Sequence, residues 1–334
     1  CAKLFSRHAI APPDTMPGEF DLIRRHFSRP AMHTALAGGD DAALIAPRPG
    51  MQLAVSTDML VAGTHFFADT DPTDLGWKAL AVNVSDLAAM GAEPRWAFLA
   101  LALPAADDAW LAAFADGFYA CAEAFGVDLA GGDTTRGPLN LCVTVVGEAP
   151  AGQAVTRAGA RPGDELWVSG RPGRAALGLW ALRDGLALSG EGRARCLAAL
   201  HRPQPRVALG LALRGLASAM LDVSDGLIGD LGHILESSRC GAQIETAALP
   251  LENLLDCGAP HDAALRALLS GGDDYELLFA ATAARHMDIA ALADRLDLPL
   301  HCIGQLNDRP GEMLLRAADG SLQPPQMTGY DHFA

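Results

Sequence analysis

The chain has 334 residues, half of them hydrophobic, and a formal net charge of -15. Such a length supports two hydrophobic cores better than one, and the negative balance argues against nucleic acid or an anionic membrane surface as the main partner. Seven cysteines, an odd number with no Cys-x-x-Cys pair, fit buried thiols in a reducing compartment better than a disulfide framework or a structural zinc.

The most apolar run, "WAFLALALPAA" at 96–106, is shorter than the roughly 20 residues a membrane helix needs. Nothing at the start resembles a signal peptide, so the expected compartment is the cytoplasm. Residues 1–17, with Pro12, Pro13 and Pro17, read as a loose leader. "GEFDLIRRHF" then sets Phe20, Ile23 and Phe27 at helical spacing. "MQLAVSTDML" (51–60) reads as a strand ending in Ser-Thr-Asp, 71–92 as largely helical, and "RWAFLALALP" (95–104) as a buried strand. The clearest helix is 107–126, with Asp107 as its cap and Gly126 at its exit, followed by strand, loop and strand over 127–148. Helices alternating with apolar strands predict an α/β domain over 18–149.

A Gly- and Pro-bearing linker follows, and "DELWVSG" opens a second domain, 150–334. Helices are expected there near 174–188, 191–200, 206–218, 226–238 and 284–296, and strands near 219–223, 242–246, 275–281 and 300–305. Both halves carry a "GGD" turn and a Ser-Asp or Ser-x-Asp pair, an echo that suggests a distant internal duplication. His233, Trp77 and Trp180 read as packing residues.

Six segments set acids beside glycines or hydroxyls: "GGDDAAL" (38–44), "STDML" (56–60), "NVSDLAAMGA" (83–92), "GGDTTRGP" (131–138), "DVSDGLIGD" (222–230) and "GGDDYELLF" (271–279). One copy alone would be an ordinary turn or helix cap, and Asp86 and Asp225 stand where helices could begin. Repetition is another matter, because loops at one end of a sheet share a crevice. Unpaired carboxylates gathered there repel one another, and Mg²⁺ relieves this: it takes oxygen ligands, one or two carboxylates per ion, and completes its shell with water and phosphate. The hydroxyls of Ser56, Thr57, Ser85, Thr134 and Ser224 add further hard oxygens. The chain has no G-x-x-x-x-G-K-[ST] loop, no G-x-G-x-x-G after a strand, and only two lysines, Lys3 and Lys78. Phosphates bound here would be neutralised mainly by metal, helped by Arg157 and by amides of the glycine turns, an arrangement suited to phosphoryl transfer.

From "GEFDLI" at 18 to "GYDHF" at 329, through "GGDDAAL", "STDMLVAGTHF", "KALAVNVSDLAAMGA", "GGDTTRGP", "LDVSDGLIGDLGHI" and "GGDDYEL", the chain resembles the thiamine-monophosphate kinases. Their superfamily includes aminoimidazole ribonucleotide synthetase and selenophosphate synthetase. The resemblance implies a two-domain PurM-like α/β (α+β) fold: an N-terminal mixed sheet with helices that binds ATP and Mg²⁺ and pairs into a homodimer, then a C-terminal α/β domain. It implies ATP-dependent phosphorylation of thiamine monophosphate, the last step of thiamine diphosphate biosynthesis. Carried over by motif, Asp40, Ser56, Thr57, Asp58, Asp86, Asp133, Asp222 and Asp225 would hold several Mg²⁺ ions. Gly132, Asp133, Arg157 and Ser224 would contact ATP, and His65, Asp273 and Tyr330 the substrate. The family pattern has Glu where this chain has Asp273, an acid one methylene shorter.

An acceptor that is already a phosphate monoester needs no general base and no covalent residue. The expected mechanism is direct in-line attack on the ATP γ-phosphorus, with Mg²⁺ bridging the two anions and Asp86 and Asp222 as bridging ligands. Two other readings compete. One is a synthetase of the same superfamily, although no reactive cysteine stands just before "GGDDAAL"; the other is a non-catalytic binder of divalent cations or nucleotides.

Overall fold

The structure, a computed structural model, describes residues 18–327 and 329–330. The leader expected at 1–17, Cys1, the side chain of Phe20 and positions 331–333 of the last motif lie outside the described residues.

Two sheets organise the chain. Helix α1 (Glu19–His26) and a small ladder of β1 (Thr34–Leu36) and β2 (Leu44–Ile45) precede a four-stranded sheet. That sheet holds β3 (Met51–Val61), β4 (Glu93–Leu103), β5 (Asp128–Arg136) and β6 (Asn140–Pro150), in the order β3-β6-β4-β5. Only β4 and β5 run parallel. Helices α2 (Pro72–Ala89) and α3 (Asp108–Phe125) cover one face. The second sheet contains β7 (Asp164–Ser169), β8 (Ala217–Asp222), β9 (Gly241–Glu245), β10 (Leu277–Thr282), β11 (Leu300–Asn307), β12 (Met313–Arg316) and β13 (Leu322–Gln323). Its order is β13-β12-β9-β11-β7-β10-β8. Around it lie α4 (Arg174–Arg183), α5 (Gly190–His201), α6 (Val207–Leu213), α7 (Leu227–Ser238), α8 (Glu252–Leu255), α9 (His261–Ser270) and α10 (His286–Leu296). The architecture is α/β with an N-terminal mixed sheet, as expected.

Local differences have local causes. Helix α3 starts and stops as read: Asp107 accepts from the amides of Ala109 and Trp110 at 3.0 and 3.1 Å, and Gly126 leaves at φ 65°. Helix α2 is capped by Asp71, so Asp86 lies in its last turns and caps no helix. The Ser-Thr-Asp triplet lies within β3, not at its end, because pairing with β6 continues to Val61. "GGDTTR" continues β5 where a loop was expected. Gly132 permits this, since a Cβ there would sit 1.9 Å from the Leu99 carbonyl oxygen on β4. The helix read at 206–218 ends at Leu213, and Gly215 (φ 74°) turns the chain into β8. Helix α9, α8 and the β12–β13 hairpin were not anticipated. His233 is exposed, against its reading as a packing residue. Four cysteines are buried, but Cys142 and Cys302 are only half-buried, and the six described thiols are free.

Both units pack on α2. Thirteen of its 18 residues are buried, so it has no polar face to give to water. On one side Gly76 and Gly117 bring α2 and α3 into backbone contact. A Cβ at Gly76 would lie 2.0 Å from the Phe114 carbonyl oxygen, and one at Gly117 1.8 Å from that of Thr73. On the other side Ala88 and Ala89 join an apolar cluster with Trp167, Leu209 and Phe279 of the second unit. Gly76→Ala must therefore push two helices apart, at a cost of about 3 kcal/mol, read as a lower denaturant midpoint. Gly190→Ala, whose Cβ would meet open space, should leave that midpoint unchanged.

Candidate active site

Where α2 meets β3 and the turn after β8, Asp58, Asp86, Asp222 and Asp225 share one electrostatic neighbourhood. Burial, then the charges of Asp86 and Asp225, push Asp58 up to about 6. Asp222 is pushed up to about 8, by burial first and then by Asp86, against a hydrogen bond from Ser85. Burial raises Asp86 too, opposed by Ser56 and by the charge of Arg157. Short hydrogen bonds orient the acids: Ser56 Oγ donates to Asp86 at 2.5 Å, and Ser85 Oγ donates to Asp222 at 2.6 Å, across the junction of the two units. Asn83 pins β3 to α2 by accepting from the Asp58 amide at 2.9 Å and donating to the Ala79 carbonyl at 3.0 Å. Among the described residues, no three of these acids bring their oxygens within 4.8 Å of one another. A hard cation here would thus be completed by water or a ligand's oxygens, as Mg²⁺ usually is.

The two acidic turns of the second unit are laced together. Asp273 N donates to Ser224 O, Tyr275 N to Val223 O, and Val223 N to Glu276 O, each at 2.8 Å. Asp273 and Tyr275 adopt positive φ of 68° and 55°, a conformation that costs such residues of order 1–3 kcal/mol each. Buried partners hold it in place. Asp274 accepts from the amides of Gly173 and Ala175, while Glu276 accepts from Arg206, Ser169 Oγ and the Arg171 amide. The outcome is a fixed Asp273, which accepts from Lys78 Nζ and from the Tyr275 hydroxyl, both at 3.0 Å. Asp230 accepts at 3.1 Å from three successive amides, those of Ser224, Asp225 and Gly226. Those amides hold the turn in place. Burial still lifts Asp230 to about 7.

Motif reading passed over Lys78, Asn83 and Asp230. For Lys78 a signal was present: it is the one lysine besides Lys3, about two helical turns before Asp86.

The remaining candidates sit at the rim or away from it. Arg157 is exposed, with its charge felt at Asp86. Tyr330 is 57% exposed, and its amide donates to the Asp225 carbonyl at 3.0 Å, which brings the tail to the site. His65 Nδ1 accepts from the Val61 amide at 3.0 Å just past β3. Asp133 and Gly132 are exposed on β5, and Thr134 is half-buried beside them. Asp40 is exposed on a loop whose Gly38 lies near the backbone of Ala130 and Gly131. Thr57 points to the opposite face of β3, 2.8 Å from Thr144 Oγ1, so its hydroxyl is not brought to the four acids.

The chain matches the AIR synthase related proteins, their N-terminal domain over residues 39–149 and their C-terminal domain over 161–315. It is 46% identical to the thiamine-monophosphate kinase of Escherichia coli over 322 residues, 95% of this chain and 98% of that one. The crystal structure of thiamine-monophosphate kinase from Stenotrophomonas maltophilia superposes with a TM-score of 0.81 at 45% identity, covering 90% of this chain and 95% of that one. AaThiL complexed with AMPPCP and TMP superposes with a TM-score of 0.74 at 28% identity, covering 94% and 96%. Fold and site thus define an enzyme of the AIR synthase related class, with its two-domain PurM-like architecture. Within that class the chain belongs to the thiamine-monophosphate kinase family. No described helix is long and apolar enough to cross a membrane.

The raised carboxyls set a pH dependence. Folded Asp58 and Asp222 keep their protons to about 6 and about 8, whereas unfolded aspartates lose theirs near 3.9. The folded chain therefore binds more protons across that window, and the contribution of these two groups to stability falls as pH rises through it. Calorimetry should show Asp58→Asn with Asp222→Asn flattening this decline in metal-free protein. Added Mg²⁺ should raise the melting temperature more at pH 8 than at pH 5.

Proposed function

We propose that this protein transfers the γ-phosphoryl group of ATP to thiamine monophosphate, forming thiamine diphosphate. The observation that carries this reading is the convergence of Asp58, Asp86, Asp222 and Asp225 at the junction of the two units, in a member of the thiamine-monophosphate kinase family. AaThiL, complexed with AMPPCP and TMP, supports ATP and thiamine monophosphate as the substrate pair.

The donor set fits Mg²⁺, because it offers carboxylates and hydroxyls that are unfavourably crowded without a cation. Asp58, Asp86, Asp222, Asp225 and the Ser56 hydroxyl would hold the ions; Asp133 shares the outer sheet face with Met59 and is a less direct candidate, as is Asp40 on its loop. Mg²⁺ in such a site neutralises the charge of two phosphates that must approach each other. The chain's own residues supply position. Ser56 and Ser85 fix the carboxylates of Asp86 and Asp222, and the exposed Arg157 guanidinium, with Gly132, Asp133 and Ser224, would receive ATP. Asp273, oriented by Lys78 and Tyr275, would face thiamine monophosphate together with His65. The Tyr330 ring offers a face for a cationic thiazolium. No side chain has to remove a proton, since the acceptor oxygen is already anionic.

The outer face of the edge strand β3 exposes Leu53, Val55 and Met59, the last two more than half. A mainly apolar face on an unpaired strand, interrupted by Thr57, calls for a cover, and a second copy of this chain is the proposed one. The proposed compartment is the cytoplasm, with neither nucleic acid nor membrane as a partner.

Incubation with ATP, Mg²⁺ and thiamine monophosphate should yield ADP and thiamine diphosphate, with no product from free thiamine. ATP binding without turnover would favour a non-catalytic binder. Asp86→Asn should lower kcat by roughly 10²-fold or more while keeping the melting temperature; near-native kcat at saturating Mg²⁺ refutes its role. Lys78→Met, which frees Asp273, should raise KM for thiamine monophosphate about tenfold and leave that for ATP unchanged.

A further inference from the structure

Outside the acidic crevice, Glu165 on β7, His286 at the start of α10 and Cys302 on β11 bring one ligand atom each to within 4.8 Å of the others. They form the one such group of three among the described residues. None of them lies in one of the six acidic segments. Three packed elements deliver them to one face of the second sheet. Glu165 and Trp167 are two apart on β7 and share that face, and Cys302 pairs with Trp167 in the β11–β7 ladder. A bulge follows at once, because Gly304 pairs with Leu166, one residue out of step. Bulges re-aim neighbouring side chains, and this one sits beside the thiol.

The carboxylate is already oriented. Glu165 accepts from the Trp167 indole N–H at 3.2 Å and lies 2.9 Å from His286 Nδ1. The Trp167 ring packs 5.0 Å from the His286 imidazole, centroid to centroid. Held ligands with a hydrogen-bonded outer partner are what a metal site needs beyond its ligands. Water reaches the group, since the His286 side chain is 45% exposed.

We propose that Glu165, His286 and Cys302 form a binding site for a zinc-class divalent cation, separate from the Mg²⁺ crevice. One thiolate, one imidazole and one carboxylate are the ligand types zinc takes, and three protein ligands leave a fourth, tetrahedral position for water. Ligand atoms around such an ion lie roughly 3.3–3.8 Å apart, given bonds of about 2.0–2.3 Å. Glu165 and His286, hydrogen-bonded at 2.9 Å, would part by roughly 0.4 Å to admit the ion between them, and the thiol has no more than about 1 Å to travel. The same mixture disfavours Mg²⁺, which requires hard oxygens. The two sites therefore sort cations by softness.

The test uses the full chain, stripped with a chelator and held at saturating Mg²⁺ to fill the crevice, with Co²⁺ as the probe. One equivalent should bind with a thiolate-to-cobalt charge-transfer band, tetrahedral visible bands and quenched Trp167 fluorescence, all reversed by Zn²⁺. Cys302→Ser should abolish the charge-transfer band, and His286→Ala should weaken Co²⁺ binding tenfold or more. Glu165→Gln keeps a polar group facing Trp167 and should weaken it too. Native circular dichroism and unchanged kinase turnover certify each variant as folded. A purely octahedral spectrum, a band that persists in Cys302→Ser, or unaltered affinity in folded His286→Ala overturns the site.

Discussion

The burial of most of α2 between the two sheet units is the constraint from which the site follows. A polar side chain on its buried surface cannot reach water, so it must find a partner within the protein. Asn83 finds the Asp58 amide on β3, Ser85 finds Asp222 at the end of β8, and Lys78 finds Asp273 beyond α9. These bonds are also what align the acids of one unit with those of the other. Had the helix been amphipathic in the ordinary way, its polar face would have been solvated and the two units would have had no common crevice. The glycines at 76 and 117 serve the same end, for they draw α2 close enough to α3 to leave its remaining surface to the second unit.

That burial has an electrostatic consequence. Carboxylates taken out of water and set beside one another resist ionisation, which is why Asp58, Asp86 and Asp222 all shift upward and not toward the values of paired surface acids. Carboxylates elsewhere in the chain that meet cations or amides move the other way, as Glu148 does between Arg48 and Arg95 and Asp128 does on three donors. The contrast separates acids that complete the fold from the acids proposed to hold Mg²⁺. Asp230 and Asp274 are exceptions: burial raises both, although their partners are backbone amides, and Asp230 holds the turn after β8 while Asp274 braces the strained segment next to Asp273.

Much of this was legible in the sequence because its signals are local. The cap and exit of α3, the apolar run of β4 and the acidic segments themselves depend on residues a few positions apart. What escaped depends on distance. The Lys78–Asp273 pair joins residues 195 positions apart, and no periodicity announces it. Asp86 looked like a helix start because Ser-Asp is a capping pair, yet the true cap, Asp71, stands just before Pro72 at the first helical position. The "GGD" at 131–133 and the one at 271–273 look alike as text, but the first extends a parallel strand and the second leads into an irregular segment with positive φ at Asp273 and Tyr275. Tertiary pairing, absent from the motif, decides between them. Helix α9 was missed because "HDAALRALLS" begins without a capping side chain and ends at a glycine already assigned to the acidic turn.

The shorter acid at position 273 can be understood from the backbone. Residues at positive φ carry a steric penalty that Asn and Asp bear more readily than longer side chains, because a short polar group can bond locally. Asp273 sits at φ 68° and uses both oxygens, one on Lys78 and one on the Tyr275 hydroxyl. A glutamate at the same φ would lose that short-range fit and carry its carboxylate about one methylene beyond both partners. Reach toward a substrate is thus exchanged for a turn that holds its shape without one. Lys78, sealed at 5% exposure, makes the exchange stable by balancing the charge at the point where the acid is anchored.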